Sequence, residues 1–155
     1  MKDLSTKDKL INELSLDDIR VNRLKRIPAH GGDVIHALKE SETDFVGFGE
    51  VYFSWIKSGA IKAWKCHQRM TLNFVVPLGA VQFVFHLPYP KETYRVEKIG
   101  AARYVRLTVP PGIWFGFKGI ASGSSMLMNL ASIEHDDNEV LRKPLTEIKY
   151  NWANL

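Results

Sequence analysis

The segment 59–70, GAIKAWKCHQRM, carries the side chains in this sequence with the clearest capacity for chemistry. Lys65 and His67 are two positions apart, so in a β-strand they point to the same face. Histidine exchanges protons near neutral pH, and a charged lysine stabilises an anion or, with a lowered pKa, acts as a base. The pair therefore predicts Lys65 and His67 as catalytic residues, although a rim lysine and a core histidine remain alternatives.

Lys62 is a candidate ligand for a phosphate group in the same segment. Strict alternation along a strand places Lys62 on the opposite face from Lys65. Both lysines can line one pocket only if the strand bends or bulges between them, and otherwise Lys62 is a surface residue.

Four other residues are candidates for substrate binding. The rings of Trp64 and Trp114 are suited to stacking on a base or a sugar, although aromatic residues in an all-β chain also build the core. Arg69 and Asn73 follow the same strand and offer hydrogen-bond donors to phosphate or sugar hydroxyls. A solvated turn and a sheet position explain these two residues equally well.

Short strands must position these side chains. From residue 19 onward, runs of β-branched and aromatic residues such as GEVYFSWI and AVQFVFHL are separated by the turn formers K-S-G, P-L-G and P-P-G. This pattern predicts an all-β fold, an antiparallel sandwich or barrel over residues 19–155. Residues 1–18 are predicted to lie outside it as a partly helical segment, with a short helix that carries Leu10, Ile11 and Leu14.

Composition narrows the class of protein further. The 155 residues are 45% hydrophobic, enough for the core of one domain. The net charge of +4 comes from scattered basic residues, which disfavours a nucleic-acid partner and fits a small anionic ligand. No apolar run is long enough for a membrane helix, and the charged start lacks the apolar core of a signal peptide. We therefore expect a cytoplasmic protein with no membrane partner, in which the single Cys66 forms no internal disulfide.

Four segments, in order along residues 28–152, resemble the dTDP-4-dehydrorhamnose 3,5-epimerase family. HGGDVIHAL is similar to the family's Asp-x-Arg-Gly segment, and GAIKAWKCHQ is similar to its Leu-Arg-Gly-Leu-His-x-Gln strand. TVPPGIWFGF resembles its Ile-Pro-Pro-Gly-x-x-His-Gly-Phe turn, and HDDNE with KYNW resembles its acidic turn and closing Ile-Asp-Trp. The resemblance implies a cupin-like jelly roll, a homodimer and a nucleoside-diphosphate sugar as the ligand.

In that family a histidine oriented by an aspartate removes a proton next to a 4-ketone, and a tyrosine delivers one to the other face. The resemblance therefore implies an epimerase or isomerase of a nucleoside-diphosphate 4-keto-6-deoxy sugar, in surface polysaccharide biosynthesis. It places Lys62 at the arginine that binds phosphate. The other functional positions carry different residue types here: Lys65 at the histidine, Asn151 at the aspartate, Ile133 or Glu134 at the tyrosine, and Phe115 at the histidine of the Pro-Pro-Gly turn.

The usual metal ligands of cupins are also changed. Lys65 and Phe115 occupy two of the histidine positions and Thr71 falls near the glutamate position, so His67 alone remains. A catalytic metal needs about three protein ligands, so we expect no metal and no cofactor. The acidic run HDDNE, residues 135–139, is predicted to be a solvated turn.

Two classes of function remain. Lys65 and His67 still supply titratable groups in the pocket strand, which favours an epimerase or isomerase with a rearranged acid–base set. The changed histidine, aspartate and tyrosine positions favour the alternative, a non-catalytic jelly roll that binds a sugar nucleotide or a carbohydrate. We take the enzyme as the working hypothesis.

Overall fold

The computed structural model describes residues 14–153. Glycines with positive φ, between 73° and 93°, lie at the three predicted turns: Gly59, Gly79 and Gly112. In the described part of the chain the strands are β1 (Arg20–Arg23), β2 (Arg26–Ile27), β3 (Val34–Ile35), β4 (Glu50–Ile56), β5 (Ile61–His67), β6 (Leu72–Leu78), β7 (Ala80–Leu87), β8 (Thr93–Gly100), β9 (Val105–Val109), β10 (Trp114–Gly119), β11 (Ser125–Ala131) and β12 (Val140–Arg142).

These strands form two five-stranded sheets that pack face to face. Sheet 1 has the order β1-β9-β6-β11-β4, sheet 2 has the order β12-β5-β10-β7-β8, and β2 pairs with β3 as a separate hairpin. All of these pairs are antiparallel, so the predicted all-β antiparallel fold is confirmed. Alternate residues of both sheets fill the core between them, including Leu72, Phe74, Val76, Phe83, Phe85, Leu107, Phe115, Phe117 and Leu127.

The segment before β1 differs from the predicted helix. Leu10 and Ile11, which that helix was to carry, lie outside the described residues, and only Leu14 lies within them. The chain between residue 14 and β1 forms a single 3-10 turn, Leu16–Asp18. Ser15 is the N-cap that begins this turn, because its hydroxyl accepts a hydrogen bond from the Asp17 amide. No helix within residues 14–153 is long and apolar enough to cross a membrane.

The chain after β12 covers the outer face of sheet 2. Ile148 and Trp152 pack there with Trp64 and Trp114 in a second apolar cluster. The ring centroids of Trp64 and Trp152 are 5.4 Å apart, and the Lys118 ammonium donates a 2.9 Å hydrogen bond to the Trp152 carbonyl. This side of sheet 2 is therefore occupied by the protein itself.

A buried arginine fastens the segment 37–44 onto the outer face of sheet 1. Arg106 is 0% exposed, and its guanidinium lies 2.8 Å from a carboxylate oxygen of Glu42 and 3.6 Å from one of Asp44. The guanidinium also donates hydrogen bonds to the Ala37 carbonyl and the Thr108 hydroxyl. A buried cation is tolerated only with such partners, so Arg106 ties the segment to β9.

Replacing Arg106 with leucine should lower the free energy of unfolding by about 3 kcal/mol or more, because the change leaves Glu42 and Asp44 without their cation. Chemical denaturation at neutral pH measures this. The control is Arg103→Leu, since Arg103 is half exposed and pairs with Glu97 at 2.9 Å; it should cost about 1 kcal/mol or less. Equal losses of unfolding free energy in the two variants would contradict the role of Arg106 in tying the segment 37–44 to β9.

Candidate active site

A bulge in β5 turns two lysines to the same side of sheet 2. Phe115 of β10 lies opposite Lys65 and Phe117 lies opposite Lys62, although the lysines are three positions apart and the phenylalanines only two. Trp64 is the extra residue that breaks the alternation. Because Phe115 and Phe117 point into the core between the sheets, Lys62 and Lys65 both point to that side.

The two lysines line a cleft on the open side of the sandwich, between β4 of sheet 1 and β5 with β12 of sheet 2. The cavity has a volume of about 540 Å³ and is lined by Ser54 and Phe117 together with Lys62, Lys65 and Arg142. Arg142 pairs with the exposed Asp137 at 2.9 Å. Among residues 14–153, neither lysine forms an ion pair with a carboxylate. The mouth of the cleft is therefore suited to an anion.

His67 ends β5 on the same side as Lys65 and is held by a carboxylate. Its Nδ1 contacts Oε1 of Glu139, and both side chains are buried. The other oxygen of Glu139, Oε2, accepts hydrogen bonds of 3.0–3.3 Å from the backbone amides of the turn after β5, those of Gln68, Arg69 and Met70. Glu139 therefore fixes both the imidazole and the backbone beside it.

The electrostatics of this pair define a neutral base. Burial lowers the pKa of His67, and this outweighs the opposing effect of Glu139. Burial acts to raise the pKa of Glu139, but the hydrogen bonds from His67 and the backbone amides lower it overall, so the carboxylate is ionised. An ionised carboxylate can only accept, so Nδ1 of His67 carries the proton and Nε2 keeps its lone pair. Burial and the charges of Arg142 and Lys62 also lower the pKa of Lys65.

A tyrosine stands on the facing wall of the cleft. Tyr52 and Ser54 are two residues apart in β4, so they point to the same face. Tyr52 pairs with Asn129 of β11, and Asn129 is buried. The side-chain amide of Asn129 donates a 2.9 Å hydrogen bond to the Tyr52 hydroxyl. Burial raises the pKa of Tyr52, and the carboxylates of Glu50 and Glu139 add to this effect. The phenol therefore keeps its proton at neutral pH and lies within the electrostatic reach of the His67–Glu139 pair.

The structure brings Lys62, Lys65 and His67 to one side of β5. Trp64 also lines the cavity beside the two lysines, whereas Trp114, Arg69 and Asn73 are not among its lining residues. The indoles of Trp64 and Trp114 belong to the apolar cluster on the outer face of sheet 2. Asn73 is buried on the outer side of sheet 1, where it accepts a 2.8 Å hydrogen bond from Thr108.

Arg69 lies in the turn after β5. It is largely exposed, and it forms an ion pair with Asp136 at 2.8 Å. Its side chain is therefore directed towards Asp136, whereas its backbone amide binds the same carboxylate that holds His67.

Two residues of this site were missed by the sequence analysis. The prediction that HDDNE is a solvated turn is wrong for its last residue, because Glu139 is 2% exposed and bound to His67. Asp137 and Asn138 of the same run are exposed, as predicted. Tyr52 lies in the segment GEVYFSWI, whose alternation predicts a strand, but alternation within one strand does not reveal that β4 faces β5 across the cleft.

The described residues do not form a candidate metal site. Within residues 14–153 no group of three or more histidine, cysteine, aspartate or glutamate side chains is arranged to hold a metal ion. The buried histidine and glutamate bind each other instead.

Comparison with known proteins gives matches among solved structures. No protein-family model and no curated protein matches the chain. A dTDP-sugar isomerase from Desulfovibrio desulfuricans G20 is 31% identical, with a TM-score of 0.84 over 88% of this chain and 92% of that protein.

Two more distant structures share the fold. They are the sugar 3,4-ketoisomerase QdtA from Thermoanaerobacterium thermosaccharolyticum, solved with TDP, and the dTDP-4-dehydrorhamnose 3,5-epimerase from Bacillus anthracis, solved with TDP and pyrophosphate. The ketoisomerase is 17% identical with a TM-score of 0.70, over 83% of this chain and 90% of that protein. The epimerase is 15% identical with a TM-score of 0.72, over 86% of this chain and 83% of that protein.

These matches confirm the cupin-like fold and the resemblance that the four sequence segments indicated. The identity and the coverage of the Desulfovibrio protein go beyond a shared architecture, because they extend over nearly the whole of both chains. The chain therefore belongs to the dTDP-sugar isomerase and epimerase family.

Proposed function

We propose that this chain is an isomerase or epimerase of a nucleoside-diphosphate 4-keto-6-deoxy sugar, acting in the cytoplasm without a metal. The observation that carries the proposal is the buried His67–Glu139 pair beside a cationic cleft. Family membership supports the substrate class, since the similar Desulfovibrio protein is a dTDP-sugar isomerase. The pair supplies the acid–base group that the changed family positions had left in doubt.

The reaction begins at a carbon next to the 4-ketone, whose C–H bond the ketone acidifies. In our proposal Nε2 of His67 removes this proton, and the electrons move to the ketone oxygen as an enolate. The imidazole becomes positively charged, and the Glu139 carboxylate stabilises that charge. This is the role that an aspartate has in the related epimerases, supplied here from the start of β12.

Tyr52 is our candidate for the second proton transfer. Its phenol is protonated and belongs to the opposite sheet, so it can deliver a proton to the face of the sugar that His67 does not reach. Removal on one face and delivery on the other inverts the carbon, which is epimerisation. In ketoisomerisation the hydroxyl proton of the deprotonated carbon passes to the former ketone oxygen through an enediol, and His67 returns the carbon proton to the former ketone carbon, so the ketone moves by one position.

The cations of the cleft have two tasks in this proposal. Lys62 and Arg142 bind the diphosphate at the mouth, since both line the cavity and Lys62 has no carboxylate partner among the described residues. Lys65 lies between Lys62 and His67 along β5 and opposite Arg142 of β12, so in our proposal it stabilises the enolate oxygen. Its lowered pKa also permits a role as a base, and substitution distinguishes the two roles.

The wild-type protein should exchange a proton of dTDP-4-keto-6-deoxyglucose with deuterated water. His67→Asn and Glu139→Gln should each lower kcat, His67→Asn by about 10²- to 10⁴-fold, because the first removes the base and the second its orienting carboxylate. Mass spectrometry of the recovered sugar nucleotide measures the exchange. No exchange with a panel of nucleoside-diphosphate 4-keto sugars would leave the non-catalytic binding protein as the better account.

The same base predicts the pH dependence. His67 must be neutral to accept a proton, and its pKa lies below the ordinary value of 6.5. The exchange rate should therefore be constant at neutral pH and fall only below that value, by about tenfold per pH unit once the histidine is mostly protonated. A rate that already declines between pH 8 and pH 7 would argue against a buried, neutral His67.

Lys65→Ala should lower kcat by about 10²- to 10³-fold, as expected when a group that stabilises an oxyanion is lost. Lys65→Arg should keep most of the activity, because arginine retains the positive charge but does not act as a base. Lys62→Ala is the matched control, and it should weaken the affinity for dTDP while changing kcat little. An inactive Lys65→Arg protein with normal dTDP affinity would show that Lys65 acts as the base.

We also propose a homodimer. The outer face of β4 presents Val51, Phe53 and Trp55, which are exposed, and Leu78 and Phe48 extend the same apolar character nearby. Contiguous apolar surface of this kind marks interaction sites in soluble proteins. A second copy that covers β4 would also protect the edge of sheet 1.

Sedimentation at micromolar concentration should give twice the chain mass of 17.7 kDa. Trp55→Glu should shift the protein towards the monomer, because it places a charge in the apolar face. Val34→Glu is the control, since Val34 is equally exposed but lies on the separate β2–β3 hairpin. A monomeric wild-type protein would refute the dimer.

A further inference from the structure

Strand β4, which lines the cleft through Ser54, begins with a carboxylate that the proposed chemistry does not use. Oε1 of Glu50 is buried and has no hydrogen-bond partner among the described residues. Buried polar atoms in folded proteins nearly always have a partner, so such an atom indicates a ligand or water that completes it. The four cations that line the cleft, Lys62, Lys65, Arg142 and Lys143, do not meet this need, because no ion pair among the described residues involves Glu50.

Strand register places Glu50 on the inner face of β4. Glu50, Tyr52 and Ser54 alternate along β4, and their partners on β11 are Ala131, Asn129 and Leu127. Ala131 and Leu127 belong to the core between the sheets. Glu50 therefore points between the sheets. Along β4 it is four residues from Ser54 at the mouth of the cleft, and Tyr52 lies midway between the two.

Glu50 also lies at the same end of the cleft as the proposed base. The carboxylates of Glu50 and Glu139 both act on the Tyr52 hydroxyl, so both lie near it. Ser54 and Lys62 line the mouth. Along β4, the distance from Ser54 to Glu50 is about 13 Å at the usual rise per residue. A diphosphate bound at the mouth would direct its sugar along β4, from Ser54 towards Tyr52 and Glu50.

From this arrangement we infer that Glu50 is a specificity-determining residue that accepts a hydrogen bond from a ring hydroxyl of the sugar. The inference rests on the proposed function. A 4-keto-6-deoxy sugar has only two free ring hydroxyls, at C2 and C3, and a carboxylate oxygen can accept a hydrogen bond from either. The hydrogen bond would complete the orphaned oxygen and orient the carbon that His67 deprotonates. Sugars that lack the hydroxyl would leave the buried carboxylate unpaired and be rejected.

The test compares dTDP-4-keto-6-deoxyglucose with its 2-deoxy and 3-deoxy analogues, by their affinities for the full-length protein in calorimetry. The wild type should bind one analogue about 10- to 100-fold more weakly, the range expected for a hydrogen bond to a charged group. In Glu50→Ala this preference should disappear. Glu50→Gln, which keeps an acceptor oxygen, should retain part of it. Glu40→Gln, an exposed carboxylate outside the cleft, is the matched control and should behave as the wild type.

Binding of dTDP alone separates the possible failures, because dTDP has no sugar for Glu50 to contact. Its affinity should be the same in all these proteins, and a loss in Glu50→Ala would mean that Glu50 is structural and overturn the inference. Equal binding of both analogues by the wild type, or a preference that persists in Glu50→Ala, would also overturn it while leaving the proposed function intact. A wild type that binds neither dTDP nor the sugar nucleotide would overturn both.

Discussion

The carboxylate of Glu139 is the group on which the geometry of the site depends. A buried carboxylate is costly unless its oxygens are hydrogen-bonded, and here one oxygen holds His67 while the other holds three backbone amides of the turn after β5. The backbone amide of Gln68 adds a bond to the Glu139 carbonyl at 2.9 Å. The end of β5, the start of β12 and the tautomer of the imidazole are therefore fixed by one residue.

The charges of the cleft are divided along its length. Its mouth is lined by the cations Lys62, Lys65, Arg142 and Lys143, and the carboxylates Glu50 and Glu139 lie beyond these residues, where both act on the Tyr52 hydroxyl. A ligand with an anionic end and a neutral, hydroxylated end is complementary to this division. A nucleoside-diphosphate sugar has that polarity, and in our account it binds with its diphosphate at the mouth and its sugar between the two sheets. The walls thus orient the ligand before any proton moves.

The strands were predictable because their alternation reflects burial between two sheets. Period-two alternation in GEVYFSWI puts Tyr52 and Ser54 on one face and Phe53 and Trp55 on the other, and the strand register shows the same division. The bulge in β5 was not predictable, because it depends on the strand beside it. Gly116 lies at the register shift, and a Cβ there would lie 2.4 Å from the Ala63 side chain, so only glycine permits this approach. The sequence indicated that Lys62 and Lys65 share a pocket only if β5 bends or bulges between them, but it did not indicate that a bulge is present.

The residues that complete the site are distant in sequence from those that the motifs identified. Glu139 follows His67 by 72 residues and belongs to a run of polar residues. Only the pairing of β12 with β5 buries that one residue of the run. The family pattern placed the partner of the base at Asn151, whereas the structure supplies a carboxylate from a different strand. A resemblance of motifs thus located the pocket, and the tertiary structure located its chemistry.

Nitrogen NMR of His67 in the intact protein tests the central claim most directly, because it reports the protonation of each ring nitrogen. The account predicts a neutral imidazole at pH 7, with the proton on Nδ1 facing Glu139 and a bare Nε2, and protonation of the ring only below pH 6.5. An imidazolium at pH 7, or a neutral ring with its proton on Nε2, would contradict the assignment of His67 as the base.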